Sequence, residues 1–199
     1  MSEKTKISAG IVKELRDETG ASIMDCRNAL EEASGDMQKA KDFLRAKGKE
    51  RAEKKSDRET GQGIVAAYIH SNKQVGAMVE LVCETDFVAK NSEFQDLAYD
   101  IAMHIAAMNP KYLSIDDASG KEKEEFEHVT REELSSENKP EEIIEKIVSG
   151  KIKKHFEELS LLSQPFVKDN NITVGDLLKE KIAKIGENIQ IKNFVRFKI

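Results

Sequence analysis

Glu80, Glu84 and Asp86 crowd the end of an apolar run, "VELVCETDF", outside the helical charge runs, where their side chains could do acid–base chemistry. A general acid and a general base could be drawn from such a group if something split their proton affinities. The stretch has no histidine beside it and no apolar-pocket signal, and the remaining carboxylates fall in helical charge runs where a solvated face explains them. His70, His104, His128 and His155 are scattered without HxxxH or HxxE spacing, and Cys26 and Cys83 lie far apart without a CxxC pair. That pattern predicts two packed thiols in a reducing compartment, no metal site and no cofactor. A GxxxxGK[ST] loop to cradle a nucleoside triphosphate is absent, as are GxGxxG, GxSxG and HExxH. An enzyme is not expected.

The same stretch holds an aromatic in an unusual place. Phe87 follows Asp86 where the backbone should be leaving its sheet, a position usually filled by Gly, Asn or Pro. In one reading the ring folds back to plug the end of the core. In the other, Asp86 and Phe87 protrude and insert into a partner, where burying one Phe side chain contributes roughly 1.5–3 kcal/mol, enough to anchor an interface. Periodicity alone does not choose between them.

The elements that must hold this stretch are those of an α+β fold, a helical bundle followed by a small antiparallel sheet packed with helices. Residues 1–50 read as three short helices with caps at Ser22 and Asp36 and stops at Gly20 and Gly48. Their apolar stripes are Ile7, Ile11 and Leu15, then Cys26, Ala29, Leu30 and Ala33, then Met37, Ala40, Phe43 and Leu44. Met24 sits about 160° from Cys26 on the second helix and points away from that stripe. Residues 51–62 carry both charge signs without apolar period and read as a linker, with a continued charged helix or a basic arm as the alternatives.

Residues 63–199 form the core. "GIVAAYIHSNKQVGAMVELVCE" is a hairpin turning through Ser71-Asn72-Lys73-Gln74, and "NIQIKNFVRFKI" a third strand with Ile189, Ile191, Val195, Phe197 and Ile199 on one parity. A helix opens at Ser92, with Gln95 at capping-box spacing, and is apolar on two sides: Phe94, Leu97, Ala98, Ile101, Ile105 and Met108, then Tyr99, Met103, Ala106 and Ala107. A charged helix, one that starts near Pro140 with a bend expected at Gly150, and one ending at Gly186 complete the set. The net charge of −5 argues against nucleic acid as a partner. No apolar run nears the roughly 20 residues that span a bilayer, and "MSEKTKISAG" has no signal-peptide core, so a cytoplasmic protein is expected.

"VKELRDETGASIMDCRNALEEASGDMQKAKDFLRAKG", "ETDFVAKN" and "SQPFVKDNNITVGDLLKE" together resemble the elongation factor Ts family over nearly the whole chain. The resemblance implies a guanine-nucleotide exchange factor for the GTPase elongation factor Tu, without covalent chemistry. It implies a ubiquitin-associated-like N-terminal domain and, on Thr85, Asp86, Phe87 and Val88, a wedge that disturbs the partner's Mg²⁺ site. Further partner contacts are implied for Leu15, Arg16, Thr19, Ile23 and Met24, and His104 matches a partner-contacting histidine with the edge of the core as its alternative. Longer members have two core halves and this length accommodates one, which implies a homodimer through the core. A pure binding module and an enzyme working through the acidic strand end are the competing classes; stimulated GDP release would separate them.

Overall fold

The computed structural model describes residues 7–135 and 140–199. Most of the N-terminal stretch read for a leader and the end of the charged helix, 136–138, lie outside the described residues.

Helices α1 (Ala9–Thr19), α2 (Ile23–Glu32) and α3 (Met37–Glu53) form the N-terminal bundle. Side chains of Ser8, Ser22 and Asp36 accept the first free backbone N–H groups of each helix, and Gly20 stops α1 in the left-handed region at φ 67°. Val12, Leu15, Cys26, Ala29, Leu30 and Ala40 are its core. Ile11 and Phe43, expected inside, are exposed, because Val12 takes the inward position on α1 and Leu44 with Met37 closes the far side.

Gly48 is not a stop. The helix runs through it to Glu53, and a Cβ placed on Gly48 would lie 3.3 Å from the Ala183 Cβ of α8 (Val174–Ile185). Glycine here marks a close approach of two helices. Ala52, within the expected linker, is buried in the core of the sheet region, so α3 ties the bundle to that core.

Strands β1 (Gln62–Ile69), β2 (Val75–Cys83) and β5 (Ile189–Lys198) form an antiparallel sheet in the order β1-β2-β5. The hairpin turns where expected, with Lys73 at φ 57°. The single parity of β5 does not hold. Glu80 pairs with Asn193 and Leu81 with Ile191, leaving Lys192 as an extra residue in a bulge. Past it every side chain changes face: Ile189 and Ile191 are buried, Phe194 takes over inside, and Val195, Phe197 and Ile199 point to solvent.

After the single helical turn α4 (Asp86–Ala89), helix α5 (Ser92–Met108) covers one face of the sheet. Its cap is Asn91, whose side chain accepts from the Glu93 N–H at 2.8 Å, and not Ser92. At its other end Arg196 donates to the Ala106 carbonyl at 3.0 Å, satisfying an orphan acceptor of the last turn. Of its second apolar side Ala106 is buried and Met103 half-buried, whereas Tyr99 and Ala107 are exposed, as is Met108 at the end of the first stripe. Helices α6 (Gly120–Ser135) and α7 (Glu141–Leu159) pack on each other through Phe126, which stacks on His155 with ring centroids 4.0 Å apart. Gly150 lies inside α7, which runs on through it. A small hairpin that the sequence reading missed, β3 (Pro165–Phe166) with β4 (Asp169–Thr173), leads into α8.

Candidate partner-binding site

β2 delivers the chain to Thr85, whose hydroxyl caps α4 by accepting from the Val88 N–H at 3.4 Å. On so short a turn the apolar residues sort by angle: Ala89 is buried, Val88 packs against the core, and Phe87 faces the other way with 81% of its surface exposed. The core-plug reading of Phe87 therefore fails. The end of the core is closed by Val88 and Ala89 instead.

The acidic cluster is dispersed. Glu80 pairs with Lys192 at 3.1 Å, Glu84 accepts from the Asn188 N–H at 2.6 Å and lies 3.5 Å from Arg58, and Asp86 pairs with Lys90 at 2.7 Å. The hydrogen bond from Lys90 holds the Asp86 carboxyl below its ordinary range. Each carboxylate has its own cation, and no two form a pair of the kind acid–base catalysis uses. Thr85 is half-buried, its hydroxyl and N–H both engaged by Glu187 at 2.7 and 3.0 Å. Thr85 and Val88 hold the turn, whereas Asp86 and Phe87 face outward.

A second exposed patch lies on the bundle. Ile23 and Met24, at the start of α2, are 56% and 63% exposed, and Arg16 is exposed beside them. They edge a groove of about 840 Å³ between the bundle and α8, lined also by Arg45, Lys181 and Lys184. Thr19 is half-buried, with its hydroxyl donating to the Leu15 carbonyl at 2.6 Å. Leu15 itself is sealed in the bundle core. The contact expected of Leu15 is corrected: it supports the surface from beneath.

Under this patch lies a cluster that sequence reasoning missed. Asp25 is buried and accepts two bonds from Arg51, both at 2.9 Å, one from Lys47 at 3.0 Å and one from Ser22 at 2.7 Å. The Arg51 bonds foremost, then that of Ser22, hold its carboxyl far below the usual range. A lone Asp whose basic partners lie 22 and 26 residues further along the chain, on another helix, gives no periodic signal.

His104 is likewise corrected. It is fully buried, with Nε2 2.9 Å from Gln164 Oε1 and Nδ1 accepting from the Val167 N–H at 3.2 Å. These bonds fix a neutral ring with its proton on Nε2. Burial pushes its pKa down from 6.5. A histidine with a depressed folded-state pKa stabilises the fold above its unfolded value, and the contribution is lost as pH falls through the folded one. The melting temperature should therefore decline below about pH 6.5, and the His104 ring resonance should titrate later than that of a free imidazole on acidification. An ordinary titration midpoint would contradict the buried placement.

Residues 8–199 match the family model described as Elongation factor TS. The chain belongs to the elongation factor Ts family. Elongation factor Ts of Thermosipho melanesiensis is 52% identical over 193 residues, covering 97% of this chain and 98% of the relative. That of Carboxydothermus hydrogenoformans is 51% identical, covering 97% of this chain and 89% of the relative. That of Fervidobacterium nodosum is 47% identical, covering 98% of each. Elongation factor Ts is a nucleotide exchange factor for elongation factor Tu, and exchange makes and breaks no covalent bond. Among the described residues no helix is long and apolar enough to cross a membrane.

Proposed function

We propose that this chain binds GDP-bound elongation factor Tu in the cytoplasm and promotes GDP release by disturbing the partner's Mg²⁺ site, supporting translation elongation. The observation that carries the reading is Phe87, a large apolar ring held outside the molecule on a turn whose neighbours are anchored in the core. Pushed between two partner helices, such a ring displaces the groups that hold Mg²⁺ and the β-phosphate. The metal is often the largest local charge in a nucleotide site, so its loss loosens GDP. The coupling is reciprocal: the factor binds the empty GTPase better, and a fresh nucleotide weakens the factor equally. Asp86, charged and paired with Lys90, enters the same contact. Arg16, Ile23 and Met24 give a second point of attachment, with Thr19 and Leu15 supporting them. The test is dissociation of labelled GDP from elongation factor Tu with and without this protein; acceleration supports the reading, and binding without acceleration refutes it in favour of a binding module.

The chain is also proposed to act as a homodimer joined through the uncovered face of its sheet. Ile69, Gly76 and Phe197 form one row across the three strands, and Ala67, Met78 and Val195 the next. Ile69, Phe197, Met78 and Val195 are exposed, on the face that α5 does not cover. An apolar sheet face of this kind favours burial against another apolar surface, and a second copy supplies a matching one. Light scattering at micromolar concentration should give twice the chain mass of 22.4 kDa, and Phe197→Glu combined with Met78→Glu should return a monomer. A wild-type monomer would overturn the assembly.

A further inference from the structure

We propose that Glu187 is a positioning residue for nucleotide exchange: its carboxylate grips the Thr85 turn from just before the neighbouring strand and sets the direction in which Phe87 leaves the molecule. The inference rests on the exchange reading above and adds to it a residue outside the wedge.

The geometry is a reciprocal clasp between two turns. Thr85 donates to both Glu187 oxygens, from its N–H at 3.0 Å and from its hydroxyl at 2.7 Å. In return, Glu84, next to Thr85, accepts from the N–H of Asn188, next to Glu187, at 2.6 Å. Each turn offers a carboxylate to the other's backbone. Two bonds to one carboxylate prevent the Thr85 turn from swivelling about a single contact.

The Glu187 turn is itself immobilised. Gly186 ends α8 in the left-handed region at φ 92°, its N–H bonded to the Ile182 carbonyl at 2.9 Å, and its own carbonyl accepts from the Lys55 ammonium at 2.6 Å. Asn188 is buried and donates to the carbonyls of Ser56 and Arg58 at 3.1 and 2.8 Å. The exit of α3, the end of α8 and the start of α4 meet at this point.

The wedge needs such support. α4 has four residues, too few for helical bonding to maintain its shape alone. Its cap bond from Val88 to the Thr85 hydroxyl is long, and donation of that hydroxyl's proton to Glu187 is what turns a lone pair toward Val88. Without the carboxylate, Phe87 stays exposed but loses its fixed direction, and ordering it during insertion is charged against exchange.

Stimulated GDP release should be measured at saturating factor for Glu187→Ala, Glu187→Gln and Thr85→Val, each with and without Phe87→Ala. Glu187→Ala is expected to reduce the maximal rate about tenfold, Glu187→Gln to recover only part of it because its single oxygen keeps one of the two Thr85 bonds, and Glu187→Ala to have no further effect once Phe87 is replaced. Equal loss in the presence and absence of Phe87→Ala would make Glu187 a general structural residue and overturn the proposal. If Glu187→Ala does not fold, Thr85→Val, which removes only the hydroxyl bonds, carries the same comparison. A normal rate for Phe87→Ala would sink the exchange reading itself, whereas a crippled Phe87→Ala beside a wild-type rate for Glu187→Ala would refute the clasp alone.

Discussion

Phe87→Ala should slow stimulated GDP release about 30-fold or more while leaving the fold untouched. An aromatic that fills a partner pocket commonly contributes about 2 kcal/mol or more to an interface, and each 1.4 kcal/mol is a factor of ten. The ring is 81% exposed in the free protein, so its removal opens no cavity. Exposed substitutions of this kind change stability by about 0.5 kcal/mol or less, whereas truncating a buried Phe costs about 3–5 kcal/mol. The melting temperature thus separates the two roles on its own. A loss confined to the half-saturating concentration would mean that Phe87 only adds affinity. A loss in the maximal rate means that the ring acts in the state where GDP is leaving, which is the behaviour of a wedge. Phe87→Leu should keep part of the rate, since it retains apolar volume without the flat ring.

The sequence marked the outward-facing residues Phe87 and Met24 better than the groups that support them. Phe87 stood out because an aromatic in a turn breaks a local rule, and Met24 because it left the stripe of its helix. Both observations used near neighbours in the chain. The features that escaped depend on distant partners. Gly48 reads as a stop until α8 is seen to approach it, with Ala183 close by. The parity of β5 is a fair expectation from alternation, yet one extra residue at Lys192 reverses it and moves Phe197 to solvent. Leu15 and His104 match partner-contact positions, but only packing reveals that one lies under the bundle surface and the other under Phe166 and Gln164. Glu187 and Asp25 look like two more carboxylates in a chain rich in them. Their roles are visible only through the groups they hold.

Asp25→Asn should destabilise the helical bundle by about 2–4 kcal/mol. Breaking a buried ion pair costs roughly 3–5 kcal/mol because the surviving charge is left without its counterion, and the half-exposed Arg51 and Lys47, able to rehydrate, place this case toward the lower end. The pH dependence has a definite sign. Asp25 has a folded-state pKa held far below its unfolded value, so its contribution is complete above about pH 4–5 and is lost as pH falls toward the folded value. The stability gap between wild type and Asp25→Asn should therefore be constant near neutrality and narrow in acid; a gap that widens in acid would assign the effect elsewhere. Arg51 precedes Ala52, which is packed in the core of the sheet region, so the bonds that Arg51 donates to Asp25 fasten α2 to the part of α3 that leaves the bundle. Loosening it should cost partner affinity as well as stability, since Ile23 and Met24 ride on the same first turn of α2. Because the two regions share α3, calorimetry of Asp25→Asn should show a single transition at lower temperature. Separate melting of the bundle would mean that α3 transmits nothing from one end to the other, and the patch at Met24 would then act independently of the wedge at Phe87.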